Sequence, residues 1–314
     1  MTRARAAARR AFAGMLLAVS LLAAAPGVAA QDENSADGFD VRSFTCPLDG
    51  RRFRQEVGYP SLALVQFPDG SWLGDHLIDT QIPECPGNGL VLIPDFDATD
   101  DSSALSYRTY APAELARLPA LVAGEEYRAL HGRYERALWL ATQLKLSPRS
   151  RFELLMRSSW ATRDPAERRA RVARLAEQGP ALIDAMRASP GEALALRLRI
   201  VNALRELGRF DEAMTELDLL RAAVPEDMGD GDPDSIVATR GQLARMGDVI
   251  AARDDDRFPV DLSFERWVRR VCGGEPLSPP YGPITQNAKA ACARRERMER
   301  EAAETEREVE RLRA

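Results

Sequence analysis

The 314-residue sequence predicts a mainly α-helical protein carrying a small β head at its N-terminal side. Three observations point there. Between Val41 and Ile93 short apolar runs alternate with turn clusters: Leu62–Phe67, then Pro68-Asp69-Gly70-Ser71, and later Leu90–Ile93. From Pro112 to Asp256 apolar residues recur at helical spacing, and prolines at 148, 165, 180, 190 and 225 mark expected breaks. Aromatic residues are only 6% of the chain, while Ala, Leu and Arg abound, which favours helices.

The first thirty residues read as a cleavable signal peptide. Arg3, Arg5, Arg9 and Arg10 form a basic leader, and Met15–Ala25 is an apolar run shorter than the roughly 20 residues a membrane span needs. Val28-Ala29-Ala30 supplies the small residues for a cut after Ala30, so a periplasmic or secreted protein without a membrane span is expected. A retained anchor is the alternative. Arg9-Arg10 is faintly similar to a twin-arginine signal, so the export route stays open. Without residues 1–30 the formal charge is −9, because they hold four arginines and no acid. Such an acidic chain argues against nucleic acid and anionic membranes as partners and favours basic ones.

Residues 31–40 are polar and acidic and read as disordered. The head follows at 41–106, the helical region at 107–256, and a C-terminal segment at 257–314. In that last segment Phe258–Cys272 reads as a helix ended by Gly273-Gly274. Residues 276–283 are proline-rich, and a final helix starts at Thr285. Met298, Ala302, Thr305, Val309 and Leu312 make a short coiled-coil-like seam along it.

Two copies of one short motif punctuate the head: Cys46-Pro47-Leu48-Asp49-Gly50 and Cys85-Pro86-Gly87-Asn88-Gly89. Each resembles a zinc-ribbon knuckle, C-P-x-C-G, in which two cysteines flank a tight turn. The first cysteine of each copy is kept; Asp49 and Asn88 replace the second. In an oxidising compartment an even count of four cysteines implies disulfides, here Cys46–Cys85 and Cys272–Cys292. A Cys46–Cys85 bond would remove roughly 3–4 kcal/mol of unfolded-state entropy, much for so small a head. The alternative is a zinc site from Cys46, Asp49, His76 and Cys85, with Asp75 and Asp79 beside His76. Asn is a poor zinc ligand, so the expectation is no cofactor.

In the helical region Gly132-Arg133-Tyr134-Glu135-Arg136-Ala137 aligns without gaps on Gly208-Arg209-Phe210-Asp211-Glu212-Ala213. A glycine turn, a space-filling aromatic and a small contact residue resemble the tetratricopeptide repeat. The glycines are 76 residues apart, about two repeat units, and Gly247 with Ala252 continues the period. An ordinary helical bundle is the alternative. The order of parts also resembles a bacterial family known only as a domain of unknown function, in which a C-P-x-C-G head precedes tetratricopeptide-like helices. The residues that carry this likeness are Phe44–Gly50, Phe53, Cys85-Pro86 and the helices from Glu125 onward; Asp49 and Asn88 depart from it.

Chemistry-bearing residues are few. The two histidines are His76, a lone acid or base beside Asp75 or Asp79, and His131, which precedes a repeat glycine. No serine sits in a G-x-S-x-G elbow, and no C-x-x-C pair is present. Asp230, Asp232 and Asp234 alternate as in a calcium loop but lack its glycine and closing glutamate; Asp95, Asp97, Asp100 and Asp101 form a looser group. The expected function is therefore that of an exported scaffold binding a protein or peptide partner, without catalysis. A metal-assisted envelope enzyme around His76 and a self-associating structural protein are the alternatives.

Overall fold

The computed structural model describes residues 39–58, 67–71, 82–98, 106–224, 233–275 and 284–313. It is mainly helical, with one two-stranded antiparallel sheet near the N-terminal side. Strands β1 (Phe39–Thr45) and β2 (Arg52–Gly58) pair from Phe39↔Gly58 to Thr45↔Arg52, and the first knuckle is their turn. Opposed Phe44 and Phe53 bring their rings to 5.5 Å, a cross-strand pair of the kind that stabilises a sheet. β1 thus begins inside the stretch expected to be disordered. Leu90–Ile93 is buried as its apolar run suggests, yet among the described residues it forms a single bridge, Glu84↔Val91, with another just beyond it at Pro94↔Tyr107.

Ten helices follow among the described residues: α1 (Pro112–Ala123), α2 (Glu125–Ala129), α3 (Arg133–Gln143), α4 (Pro148–Trp160), α5 (Pro165–Met186), α6 (Pro190–Glu206), α7 (Phe210–Ala223), α8 (Pro233–Ala251), α9 (Glu265–Cys272) and α10 (Gln286–Arg313). From α3 to α8 each packs against the next in sequence, a serial array. Three starts share one device. Ser147, Asp164 and Ser189 accept hydrogen bonds from the amides of Ser150, Glu167 and Glu192, and proline takes the first helical position in each case. Proline there loses no intrahelical bond, so each expected break falls just before a proline that starts the next helix. Pro180 is different. It lies inside α5, which runs through it, held between α4 and α6.

Gly247 does not form a turn either. It sits within α8, where a Cβ would meet Leu217 of α7 at 3.4 Å and collide with the Arg221 guanidinium. It serves a close helix contact. The expected helix Phe258–Cys272 is shorter, because Pro259 opens a single 3₁₀ turn (Val260–Leu262) and the chain is extended again at Ser263 and Phe264 before α9. Gly274 closes α9 with φ +72°, a value costly for any residue with a Cβ.

Head and helices share one hydrophobic core, running from Phe44 and Val57 through Leu140 and Phe152 to Met246 and Ile250. A smaller core of Val260, Trp267, Val268, Val271, Ala288 and Ala291 joins α9 to the start of α10. Thr285 caps α10 by accepting from Ala288 N at 3.0 Å. Farther along, Met298 is 68% exposed and Val309 39%. No helix among the described residues is long and apolar enough to cross a membrane. The signal segment, the expected strand 62–67 except Phe67, the calcium-like run before residue 233 and the proline-rich connector 276–283 lie outside the described residues.

Candidate functional site at the paired knuckles

The two knuckles fold alike, bond for bond. Gly50 N donates to Cys46 O at 2.9 Å, and Gly89 N to Cys85 O at 3.1 Å. Cys46 N donates to Arg51 O, and Cys85 N to Leu90 O, at 2.9 and 2.8 Å. The residues replacing the second cysteines repeat the pattern: Arg51 N donates to Asp49 Oδ1 at 3.0 Å and Leu90 N to Asn88 Oδ1 at 2.9 Å. Gly50 and Gly89 hold φ +69° and +74°, which explains glycine at both positions.

The knuckles face each other. Cys46 and Cys85 are disulfide-bonded, with Cα atoms 5.5 Å apart and both residues buried. Beside them Asn88 Nδ2 donates to Asp49 Oδ2 at 3.4 Å and to Cys46 Sγ at 3.3 Å. Four knuckle positions therefore converge as one disulfide and one amide–carboxylate contact. An amide contributes a donor here, where a metal site requires electron-pair donors. His76, Asp75 and Asp79, the other proposed zinc or acid–base residues, lie outside the described residues. Among the described residues no group of three His, Cys, Asp or Glu side chains is arranged to hold a metal ion.

The second knuckle borders a cleft of about 560 Å³ whose other wall comes from α1, α2 and α3. Arg128, Arg133 and Arg136 line it against one carboxylate, Glu84. Arg136 binds Glu84 at 2.8 Å and Arg133 approaches it at 3.5 Å, while Arg133 also donates to Ile82 O. Gly87, on the rim, holds φ +97°, a value that favours glycine. Tyr127 fixes the floor: its hydroxyl donates to Gly89 O at 2.7 Å and accepts from Val91 N at 3.2 Å. Burial pushes its phenol pKa up, so it stays protonated as that donor. The cleft is thus cationic within an acidic chain.

A second polar cluster pins the head into the helices. The turn Phe67–Ser71 carries buried Asp69, whose carboxylate binds Arg257 at 2.9 Å and Arg168 at 3.5 Å and accepts from Ser71 N and Oγ. Burial alone would raise its pKa. The charges of Arg257 and Arg168 and the Ser71 bonds outweigh that and hold it below the usual carboxylate value. Trp160 Nε1 donates to Asp69 O, and Arg199 donates to Phe67 O and Pro68 O. Phe67 lies 4.1 Å from Phe258, ring centre to ring centre, and within about 6 Å of Phe264 and Trp267. Sequence reasoning placed a turn at 68–71 but gave no sign of its burial.

The remaining candidates take structural places. Asp97 accepts from Ser147 and Ser150 at the start of α4, where a negative charge suits the helix end. Asp95 accepts from Asp97 N, and Asp100 and Asp101 lie outside the described residues. His131 is exposed next to Gly132. Cys272 and Cys292 are disulfide-bonded, joining α9 to α10. Comparison of the chain with family models, curated proteins and solved structures returns no match.

Proposed function

We propose that the protein is an exported interaction protein whose cleft between the second knuckle and α2–α3 docks a carboxylate-bearing peptide segment of its partner. The observation that carries this reading is the local charge: three arginines line the cleft, and its single carboxylate is already engaged by two of them. Guanidinium groups match carboxylates in planar, bidentate geometry, which suits recognition of Asp or Glu side chains. Net charge favours basic partners over the surface as a whole, but the cleft favours the opposite sign. The two disulfides support an oxidising compartment and, with it, export.

The repeat reading of the helices has its own support. Gly132 and Gly208 both adopt positive φ ahead of α3 and α7, at +85° and +76°. The equivalent pairs Ala137 and Ala213, Ala141 and Leu217, and Leu144 and Leu220 are all buried. The twin hydrogen bonding of the knuckles likewise supports a zinc-ribbon-like head.

The test is binding of a fluorescent hexaglutamate peptide to the oxidised protein at low ionic strength, with hexalysine as control. Saturable binding that weakens with salt, and falls at least about tenfold in Arg128→Glu, is expected for a charge-reversed guanidinium contact. Equal binding by the variant, or no preference for hexaglutamate, overturns the assignment.

A further inference from the structure

The second disulfide has surroundings of its own. Cys46–Cys85 is sealed in the core, whereas Cys272 is exposed and Cys292 half-buried. Both line an open cleft of about 600 Å³ between α9 and α10, with Val268, Val271 and Ile284 giving it an apolar wall. Arg269, three residues before Cys272, and Lys289, three before Cys292, line the same cleft on the sulfur-bearing faces of their helices. The cleft's carboxylates are held by other arginines, Glu265 and Glu299 by Arg295 and Glu296 by Arg300, and neither Arg269 nor Lys289 makes an ion pair among the described residues. Thiol exchange needs access to a sulfur, and positive charge beside the departing sulfur stabilises the thiolate.

We propose that Cys272–Cys292 is a thiol-exchange site that a dithiol partner opens while Cys46–Cys85 stays closed. The partner's thiolate attacks Sγ of Cys272, the more exposed residue of the pair. The S–S bond breaks, and its electron pair leaves on Cys292 Sγ as a thiolate in the cleft that Lys289 also lines. The partner's second thiolate then attacks the partner sulfur of the mixed disulfide and expels Cys272 as a thiolate. The partner ends as a disulfide, this protein ends with two thiols, and water supplies their protons.

Opening the bond does not release α10 from the body. Its first turns remain held by Thr285 donating to Asp256, Asn287 donating to Asp255 at 3.0 Å and Arg294 bound to Asp261 at 2.8 Å. Ala288 and Ala291 stay in the small core. The site can therefore cycle between oxidised and reduced forms within a folded protein.

The experiment treats the folded, oxidised protein with dithiothreitol, quenches at intervals with an alkylating reagent, and quantifies each cysteine by peptide mass. Cys272 and Cys292 are expected to be labelled at least about tenfold faster than Cys46 and Cys85, with the circular dichroism unchanged. Lys289→Glu is expected to slow that labelling several-fold at unchanged helicity, because it replaces the stabilising charge with a repelling one. Labelling of all four cysteines at one rate, or of Cys46 and Cys85 first, overturns the proposal. An unchanged rate in Lys289→Glu overturns the role given to the cation.

Discussion

The two disulfides span the same Cα separation, 5.5 Å, yet they do opposite things. Cys46–Cys85 lies inside the shared core, and each cysteine sits in a knuckle whose hydrogen bonds mirror the other's. Cys272–Cys292 lies at the surface between two helices that already share a core of their own. One bond is part of the packing, and the other is a tether laid over packing that exists without it. A disulfide's weight in a fold thus depends less on its geometry than on what else holds the same elements together.

The sharpest way to break that comparison is to remove each bond in turn. Cys46→Ala with Cys85→Ala opens a loop spanning 39 positions and empties buried space, so a loss of about 4 kcal/mol or more in urea unfolding is expected. Cys272→Ala with Cys292→Ala opens a span of only 20 positions at the surface. It is expected to cost at most about 3 kcal/mol, felt in α10 rather than in the main transition, and limited proteolysis would show α10 cut first. Equal losses in the main transition would erase the distinction.

Asp69 sharpens it from another side, because it shows what binds the head when the disulfide is left intact. Asp69→Asn leaves half-buried Arg257 beside a neutral amide, while Arg168 keeps Glu206 at 2.7 Å, and is expected to cost about 2–3 kcal/mol near neutral pH. The sign of its pH dependence follows from the lowered pKa. The carboxylate's contribution is fully present above its unfolded value near 3.8 and is lost as pH falls through the lower folded value. The gap between wild type and Asp69→Asn is therefore expected to narrow below that range, as chemical unfolding across pH 2–7 would report. A constant gap would mean that Asp69 does not act through its charge.

What was legible in the chain follows the reach of each signal. The knuckles were legible because all their determinants lie within five residues: the cysteine, the turn glycine, and an Asp or Asn that bonds the backbone two positions on. The breaks expected at Pro148, Pro165 and Pro190 do separate helices, and Ser147, Asp164 and Ser189 before them spell out the caps of the helices that follow. Pro180 and Gly247 differ from expectation for separate reasons: a local rule marked Pro180 as a break, which helix packing on either side overrides, whereas Gly247 was placed by the repeat period and instead lies within α8 against α7. Asp69 was not legible at all. Its partners lie 99 and 188 positions away, and nothing in Pro-Asp-Gly-Ser distinguishes a buried turn from a solvated one. The arginines of the cleft were hidden likewise, since an overall negative charge says nothing of where the positive charges gather.

The claim on which the rest depends is that head and helices form one cooperative unit through a shared core. Native-state hydrogen exchange measures it directly, by comparing the knuckle amides of Cys46, Gly50, Cys85 and Gly89 with core amides of α4 and α6. The account expects the knuckle amides to open with the same free energy as those helices, and to do so still after Cys272–Cys292 is reduced. Knuckle amides that exchange far faster than α4 and α6 would show a head folding by itself, and would contradict it.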